Sequence, residues 1–408
     1  MKAFGHFIRG KGFEILFLLF SVLSVFYVSN RMGRMIFAFT DHDFKIVIFV
    51  ILFVFSGYML LYTKCGKEKK STRTLYLICS VVLCFLLYLV LSLWIYDLAN
   101  LLFHIEKEQW YLLPMLCSIG VTCYGFIHAK KLYVKKYEME LKGCEQRQNI
   151  VLLSDIHVGT FVDFQQLEKI VSKVNELHPD QILIAGDLFD VDAFRYCDKV
   201  RIADILRGFR AKEGVYAVLG NHDPNSLSTE IRDFYQNAKI HFLVDDVLET
   251  EHFVLVGRDD ITTNPNRKGL EEMLSAHSAI VNGTKPKIVL DHNPLGIKEA
   301  AAEQMDLIVC GHTHKGQFFP ANVFTKMAYG KEEYYGFHKE QDTYSVISSG
   351  AGFFQMPMRI GSNSEIVLME VGKYRVLEGK KECGIRRTGL REVIITIYEK
   401  SRFMFQKS

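Results

Sequence analysis

Four long apolar runs in the first third of the chain most constrain what it can fold into. They cover residues 15–29, 46–62, 75–96 and 110–128, and none contains Asp, Glu, Lys or Arg. As helices they would be about 23–33 Å long, which matches a hydrocarbon core of roughly 30 Å. Buried helices of a soluble protein are the alternative, which four such runs in succession disfavour. We therefore expect residues 1–147 to form a four-helix transmembrane anchor.

Lys and Arg are unevenly distributed around these runs. Fourteen lie before the first run, between the second and third, and after the fourth, whereas the two other connections hold four. Because such residues are retained on the cytoplasmic side, the pattern predicts a multi-pass protein of the cell membrane with its catalytic domain facing the cytoplasm. A transporter is disfavoured, since these charge types are absent from the runs. We expect a tether in contact with the lipid bilayer.

The net charge of +3 averages three different segments. Residues 1–149 carry a balance of +8, residues 150–372 of −11 and residues 373–408 of +6. The acidic middle disfavours nucleic acid as a partner and is compatible with a site that holds cations. Residues 373–408 are predicted to be a basic C-terminal tail, either resting on an anionic membrane surface or frayed.

From residue 148 onward, short apolar runs alternate with segments of helical spacing. Eight runs predict buried strands: Ile150–Ser154, Gln181–Ala185, Gly214–Leu219, Phe253–Gly257, Lys287–Leu290, Leu307–Cys310, Tyr344–Ser348 and Glu365–Glu370. Between the first two runs, a helix that Pro179 ends is predicted by the helical spacing of Leu167, Ile170, Val171, Val174 and Leu177. The alternation predicts an α/β sandwich over residues 148–372, with ligands beyond the carboxyl ends of the strands.

Five predicted strands are followed by residues of the types that bind metals in proteins. These segments are Ser154-Asp155-Ile156-His157, Gly186-Asp187-Leu188-Phe189-Asp190, Gly220-Asn221-His222-Asp223, Asp291-His292 and Gly311-His312-Thr313-His314. Each alone is typical of a turn, a helix cap or an ordinary histidine. All five together favour a metal site built from loops. Carboxylates and imidazoles without cysteine suit Mn²⁺, Fe²⁺ or Zn²⁺ better than a structural zinc site.

In this order, the D-x-H, G-D-x-x-D, G-N-H-D, His and G-H-T-H motifs resemble the calcineurin-like metallophosphoesterases. GHTHKGQ over residues 311–317 and SSGAG over residues 348–352 resemble their membrane-associated bacterial branch. The resemblance implies a four-layer αββα sandwich with two divalent metal ions. It implies one metal on Asp155, His157, Asp187 and His314, and a second on Asp187, Asn221, His292 and His312. It further implies that His222 faces the substrate and that Asp190 orients His222.

The function implied by the resemblance is hydrolysis of a phosphodiester or pyrophosphate bond by metal-activated water. The predicted anchor adds the possibility of a lipid-linked phosphate substrate. Protein phosphatases of the family have Arg-Gly where this chain has Val191-Asp192, which disfavours a phosphoprotein substrate. Lys315 could contact substrate phosphate or be a solvated loop residue. A phosphomonoesterase and a catalytically inactive metal-binding regulatory membrane protein are the alternatives; the complete ligand set disfavours the second.

Overall fold

The computed structural model describes residues 11–62, 70–105, 107–190, 192–225 and 228–372. The predicted basic tail therefore lies outside the described residues. Four long helices come first: α1 (Lys11–Thr40), α2 (Lys45–Tyr62), α3 (Lys70–Phe103) and α4 (Leu112–Ala129). The four apolar runs are thus helical, as their composition indicates.

Helix α1 continues well beyond its apolar run. It includes Arg31, which follows the first apolar run. The Arg31 guanidinium lies 2.8 Å from the carboxylate of Asp97 in α3 and donates a 2.8 Å hydrogen bond to the Tyr111 hydroxyl. Because its charge is paired with that of Asp97, Arg31 can lie among the apolar helices.

Two helical segments among the described residues are long and apolar enough to cross a membrane, Thr72–Phe103 and Glu108–Ala129. The apolar part of α2, Lys45–Tyr58, is shorter. A membrane association is compatible with these lengths. The four-span, multi-pass anchor stays a prediction.

Two six-stranded sheets follow the helices. The strands are β1 (Leu132–Met139), β2 (Gln148–Leu153), β3 (Gln181–Ala185), β4 (Val215–Val218), β5 (His241–Phe242), β6 (Asp246–Glu249), β7 (Val254–Gly257), β8 (Lys287–Leu290), β9 (Leu307–Cys310), β10 (Gly336–Glu340), β11 (Thr343–Ile347) and β12 (Ser364–Val371). The first sheet has the order β1-β12-β2-β3-β4-β5 and the second β10-β11-β9-β8-β7-β6.

Each sheet is covered on its outer face by helices, and the two inner faces pack on each other. Leu152, Leu183 and Val218 of the first sheet share one core with Leu255 and Val309 of the second. The outer helices are α5 (Phe164–Asn175), α6 (Ala193–Tyr196), α7 (Lys199–Leu206), α8 (Thr229–Asn237), α9 (Leu270–Ala276), α10 (Ser278–Val281) and α11 (Ile297–Ala302). One more helix, α12 (Ala321–Tyr329), follows the last ligand-bearing loop and has no buried residue. The α/β sandwich with two sheets is confirmed, including the predicted helix α5.

The predicted strands are the eight interior ones, and the four strands that the sequence did not indicate are the edges of the two sheets. β1 lies in residues that we assigned to the anchor, yet it pairs in parallel with β12, with Lys135 opposite Val367. The charged residues Lys135, Lys136 and Glu138 interrupt the apolar run by which a strand is recognised in the sequence. Edge strands carry such charges because one of their sides has no neighbouring strand. The first sheet therefore extends past the predicted boundary at residue 147.

Helices α3 and α4 pack directly on the α/β sandwich. Their contact, which we call the seam, joins Cys84, Tyr88 and Val121 of the helices to Phe318, Met356, Met358 and Ile360. The Tyr88 hydroxyl donates a 2.7 Å hydrogen bond to the Phe319 carbonyl. The Arg359 amide donates to the Gly125 carbonyl of α4 at 3.1 Å. The long apolar helices and the sandwich are therefore joined by both apolar packing and hydrogen bonds.

Candidate metal centre

The seven predicted metal ligands come together at the carboxyl ends of parallel strands. β2, β3 and β4 run parallel in the first sheet, as do β7, β8 and β9 in the second. The carboxyl ends of parallel neighbours meet at one edge of a sheet, so the loops that follow them face one another. Those loops carry Asp155, His157, Asp187, Asn221, His292, His312 and His314.

The first group of donors consists of Asp155, His157 and His314. The Nε2 atoms of His157 and His314 are 3.0 Å apart. His314 Nε2 is 3.3 Å from an Asp155 carboxylate oxygen. One donor atom from each of the three residues lies within 4.8 Å of the others. Three donors from two different sheets thus converge on one point.

The second group consists of Asn221, His292 and His312. The Asn221 Oδ1 atom is 2.8 Å from His312 Nδ1 and 3.2 Å from His292 Nε2. Asp187 connects the two groups, because its Oδ2 atom lies 3.3 Å from His292 Nε2 and 3.6 Å from His157 Nε2. A carboxylate between two sets of donors has the arrangement of a bridging ligand.

Burial shifts the pKa values of these side chains, and for two of the histidines it favours the form that donates electron pairs. It lowers the pKa of His157 to about 3 and brings the pKa of His314 well below its usual range, so both rings are neutral at pH 7. Burial raises the pKa of Asp155 to about 6. Burial alone would also raise the pKa of Asp187, but the attraction of His292 outweighs it and keeps that carboxylate ionised.

The neutral rings of His157 and His314, together with the ionised carboxylate of Asp187, are donors of the kind that a divalent cation needs. The Nδ1 atoms of His157 and His314 are buried and have no hydrogen-bond partner among the described residues. Their Nε2 atoms are 3.0 Å apart, so both can point their electron pairs at one cation. The residues therefore fit a bound cation.

The ligand loops adopt an unusual backbone conformation. Asp155, His157, Asp187, His312 and His314 all have positive φ, between 48° and 71°. Residues other than glycine rarely adopt this left-handed region, and they do so most often where function requires a particular side-chain direction. Sequence patterns do not reveal this feature.

The structure places both predicted catalytic residues at this edge. The His222 amide donates to the Asp187 carboxylate at 2.8 Å, and its ring centre is 5.3 Å from that of His157. Asp190 is buried, and its amide donates to the Val158 carbonyl at 3.1 Å. The orientation of the His222 ring by the Asp190 carboxylate stays a prediction.

Three residues at the site were not singled out by the sequence. The Phe354 ring centre lies 4.4 Å from that of His222. The Asp223 carboxylate accepts hydrogen bonds from the amides of Phe189 and Gly220, both at 2.9 Å, and so ties two ligand loops together. Only the carboxyl group that ends G-N-H-D could have indicated Asp223.

The third site residue that the sequence did not single out is Arg359, whose side chain is fully buried. Its guanidinium donates to the carbonyls of His314, Ser349 and Gly352 at 3.3, 2.6 and 2.6 Å. It thus joins the last ligand loop to the SSGAG segment. Lys315, for which the sequence left two roles open, is half-buried with its ammonium 4.2 Å from the centre of the Tyr335 ring.

Comparison with known proteins agrees with this geometry. Residues 148–316 match the family model described as calcineurin-like phosphoesterase. The chain carries a calcineurin-like phosphoesterase domain. The family resemblance of the five motifs is thereby confirmed.

Several proteins with a metallophosphoesterase domain are similar to this chain. An uncharacterized metallophosphoesterase of Campylobacter jejuni is 30% identical over 258 residues, 61% of this chain and 64% of that protein. A transmembrane protein with metallophosphoesterase domain from Danio rerio is 29% identical over 281 residues, 62% of this chain and 61% of that protein. A protein of the same description from Bos taurus is 33% identical over 238 residues, 53% of this chain and 51% of that protein. The chain thus spans 51% to 64% of the length of these relatives.

Proposed function

We propose that the protein is a membrane-anchored, metal-dependent phosphohydrolase that cleaves a phosphodiester or pyrophosphate bond in a lipid-linked substrate. The observation that carries the proposal is the position of Asp187. One oxygen of its carboxylate lies within 3.6 Å of a donor in each of the two groups. That arrangement supports a centre of two cations, which is the form of metal catalysis suited to displacement at phosphorus.

The proposed ligands follow from the two donor groups. Asp155, His157, Asp187 and His314 would hold one divalent cation, and Asp187, Asn221, His292 and His312 would hold the other. The donor types suit Mn²⁺, Fe²⁺ or Zn²⁺. When bound, such a pair supplies a nucleophile from water and neutralises phosphoryl charge.

His222 is the proposed proton donor to the leaving oxygen. Histidine titrates near neutral pH, so its ring can deliver a proton under physiological conditions. The hydrogen bond that its backbone amide donates to the Asp187 carboxylate holds the residue beside the proposed ligands. Phe354 packs against the ring, with the two ring centres 4.4 Å apart. Asp190 would hold the ring in its donating orientation.

The candidate metal centre lies close to the seam, and this position supports the proposal of a lipid-linked substrate. The segment from Phe354 to Ile360 begins against His222 and ends against Gly125 of α4. Helices α3 and α4 have the lengths of membrane spans, and two of the relatives above are described as transmembrane proteins. A substrate with its apolar chain in the bilayer would need its phosphate at such a position. The excess of Lys and Arg beside the anchor supports a cytoplasmic orientation.

The test is hydrolysis of bis-p-nitrophenyl phosphate by the purified full-length protein with Mn²⁺. We expect activity that is lost on chelation and is reduced about 100-fold or more by Asp187→Asn, because one change disturbs both cations. Asp233→Asn, which alters an exposed carboxylate of α8, is the matched control and should keep the parent rate. An Asp187→Asn protein with the parent rate would show that the proposed mechanism is wrong.

A further inference from the structure

Helix α12 presents its apolar face to the outside of the protein. Val323, Phe324 and Met327 are 45%, 53% and 52% exposed, and Phe319, just before the helix, is 46% exposed. Positions 323, 324 and 327 lie on one side of a helix. Surface helices of soluble proteins turn that side toward the core, so an exposed apolar face marks a surface that contacts something else.

The opposite side of α12 forms a wall of the candidate metal centre. The Tyr329 ring centre is 6.0 Å from that of the proposed ligand His312. Asn322 lies against Gly316 and Gly361, and its backbone amide donates to the Phe318 carbonyl at 3.0 Å. One side of α12 therefore faces the candidate metal centre, and the other side is the exposed apolar face.

The start of α12 is fixed to the seam. The Phe319 carbonyl accepts the hydrogen bond from Tyr88 of α3, and the Phe319 amide donates to the Ile360 carbonyl at 3.0 Å. Ile360 in turn packs on Gly125 of α4. The exposed apolar face is thus continuous with the two helices that have the length of membrane spans.

We propose that Phe319, Val323, Phe324 and Met327 form a membrane-contacting face that lies in the surface of the lipid bilayer. The inference rests on the membrane anchoring proposed above and identifies where the catalytic domain meets the lipid. The bilayer is the occupant that the continuity with α3 and α4 selects. Lys326, exposed on the same helix, is placed to reach the phosphates of the head groups. A lipid-linked phosphate would then reach His312 along the inner side of α12.

Contact with lipid can be measured without any catalytic readout. The chain has two tryptophans, so Trp94→Phe and Trp110→Phe give a silent background for the full-length protein. Phe324→Trp is then reconstituted in phosphatidylcholine nanodiscs with or without brominated acyl chains. Val200→Trp, at an apolar position of α7 that is 71% exposed, is the matched control. We expect brominated chains to quench the fluorescence of the Phe324→Trp protein and to leave that of the Val200→Trp protein unchanged.

Two results would overturn the inference. One is a Phe324→Trp protein that brominated chains do not quench. The other is a fluorescence that changes with protein concentration and not with bromine, which would show that a second copy covers the face. Quenching without hydrolysis of any phosphoester would support the membrane-contacting face and contradict the proposed enzymatic function, so the two failures are distinguishable.

A kinetic experiment tests what the face does for the substrate. The triple variant Val323→Gln, Phe324→Gln, Met327→Gln is compared with Val200→Gln on two substrates. One is soluble bis-p-nitrophenyl phosphate, and the other is a long-chain alkyl p-nitrophenyl phosphodiester in phosphatidylcholine vesicles. We expect the triple variant to lose about tenfold in kcat/KM on vesicles, because membrane contact scales with buried apolar area, and to keep the parent rate on the soluble substrate. Equal losses on both substrates would contradict a role in lipid contact.

Discussion

Mutual hydrogen bonds hold the five ligand residues with positive φ in place. Such conformations cost about 1–3 kcal/mol each unless the surroundings fix them. The Asp155 amide donates to the Gly186 carbonyl and the His157 amide to the Asp187 carbonyl, both at 3.1 Å. The His312 amide donates to the Asp155 carboxylate at 3.0 Å. Each ligand loop is therefore stabilised by another, and residues that join loops should matter as much as the ligands.

Arg359 is expected to be essential for this arrangement. Arg359→Met would remove the 2.6 Å donor from the buried carbonyls of Ser349 and Gly352, at about 1–3 kcal/mol for each, whereas the His314 carbonyl would keep its hydrogen bond from the Gln317 amide. We expect a clearly lower midpoint in thermal denaturation together with weaker metal retention, read by metal analysis after dialysis. Arg195→Met, which removes an exposed arginine, should match the parent in both measurements. An unchanged midpoint for Arg359→Met would show that these bonds are not needed.

Asp223 is expected to act through the loops that it joins. In Asp223→Asn, the side-chain amide can accept a hydrogen bond through one atom only, so the Phe189 or Gly220 amide loses its partner. The predicted loss of unfolding free energy is about 1–3 kcal/mol. The measurement is chemical denaturation of Asp223→Asn beside Asp233→Asn, which changes an exposed carboxylate and should unfold like the parent. Equal unfolding curves for the two variants would contradict a loop-joining role.

At the scale of elements, β1 gives the clearest prediction. β12 is buried along all eight of its residues, and β1 covers one side of it. A truncated protein beginning at residue 148 would leave that side without a partner, which favours aggregation. We expect it to elute from size-exclusion chromatography as larger species than a truncated protein beginning at residue 130. Identical elution and thermal midpoints would show that β1 is dispensable.

The sequence indicated the interior of both sheets and missed their edges for one physical reason. Interior strands such as β3 are buried on both faces, so they are continuous apolar runs. β1 and β6 are edges that mix charged and apolar residues, and their pairing depends on strands distant in sequence. The motifs and their order likewise identified the seven residues that lie together at the candidate metal centre. Phe354 and Arg359 were missed because only the folded chain brings residues after SSGAG back to His222 and His314.

At the scale of the whole molecule, the charge distribution matches the proposed centre. The α/β segment carries −11 over residues 150–372. Two divalent cations would place a local positive charge among those carboxylates, where a phosphate must bind. With the membrane-contacting face beside it, the same centre would lie where a lipid head group can reach it.

The most direct test of the central claim is the number of metal ions per chain, measured by inductively coupled plasma mass spectrometry on the purified full-length protein. The two donor groups predict two divalent ions in the parent. His157→Ala and His312→Ala should each lose one ion, since each removes a donor from a different group, and the double variant should lose both. One ion or fewer in the parent would contradict a two-metal centre. So would a double variant that still retains one ion.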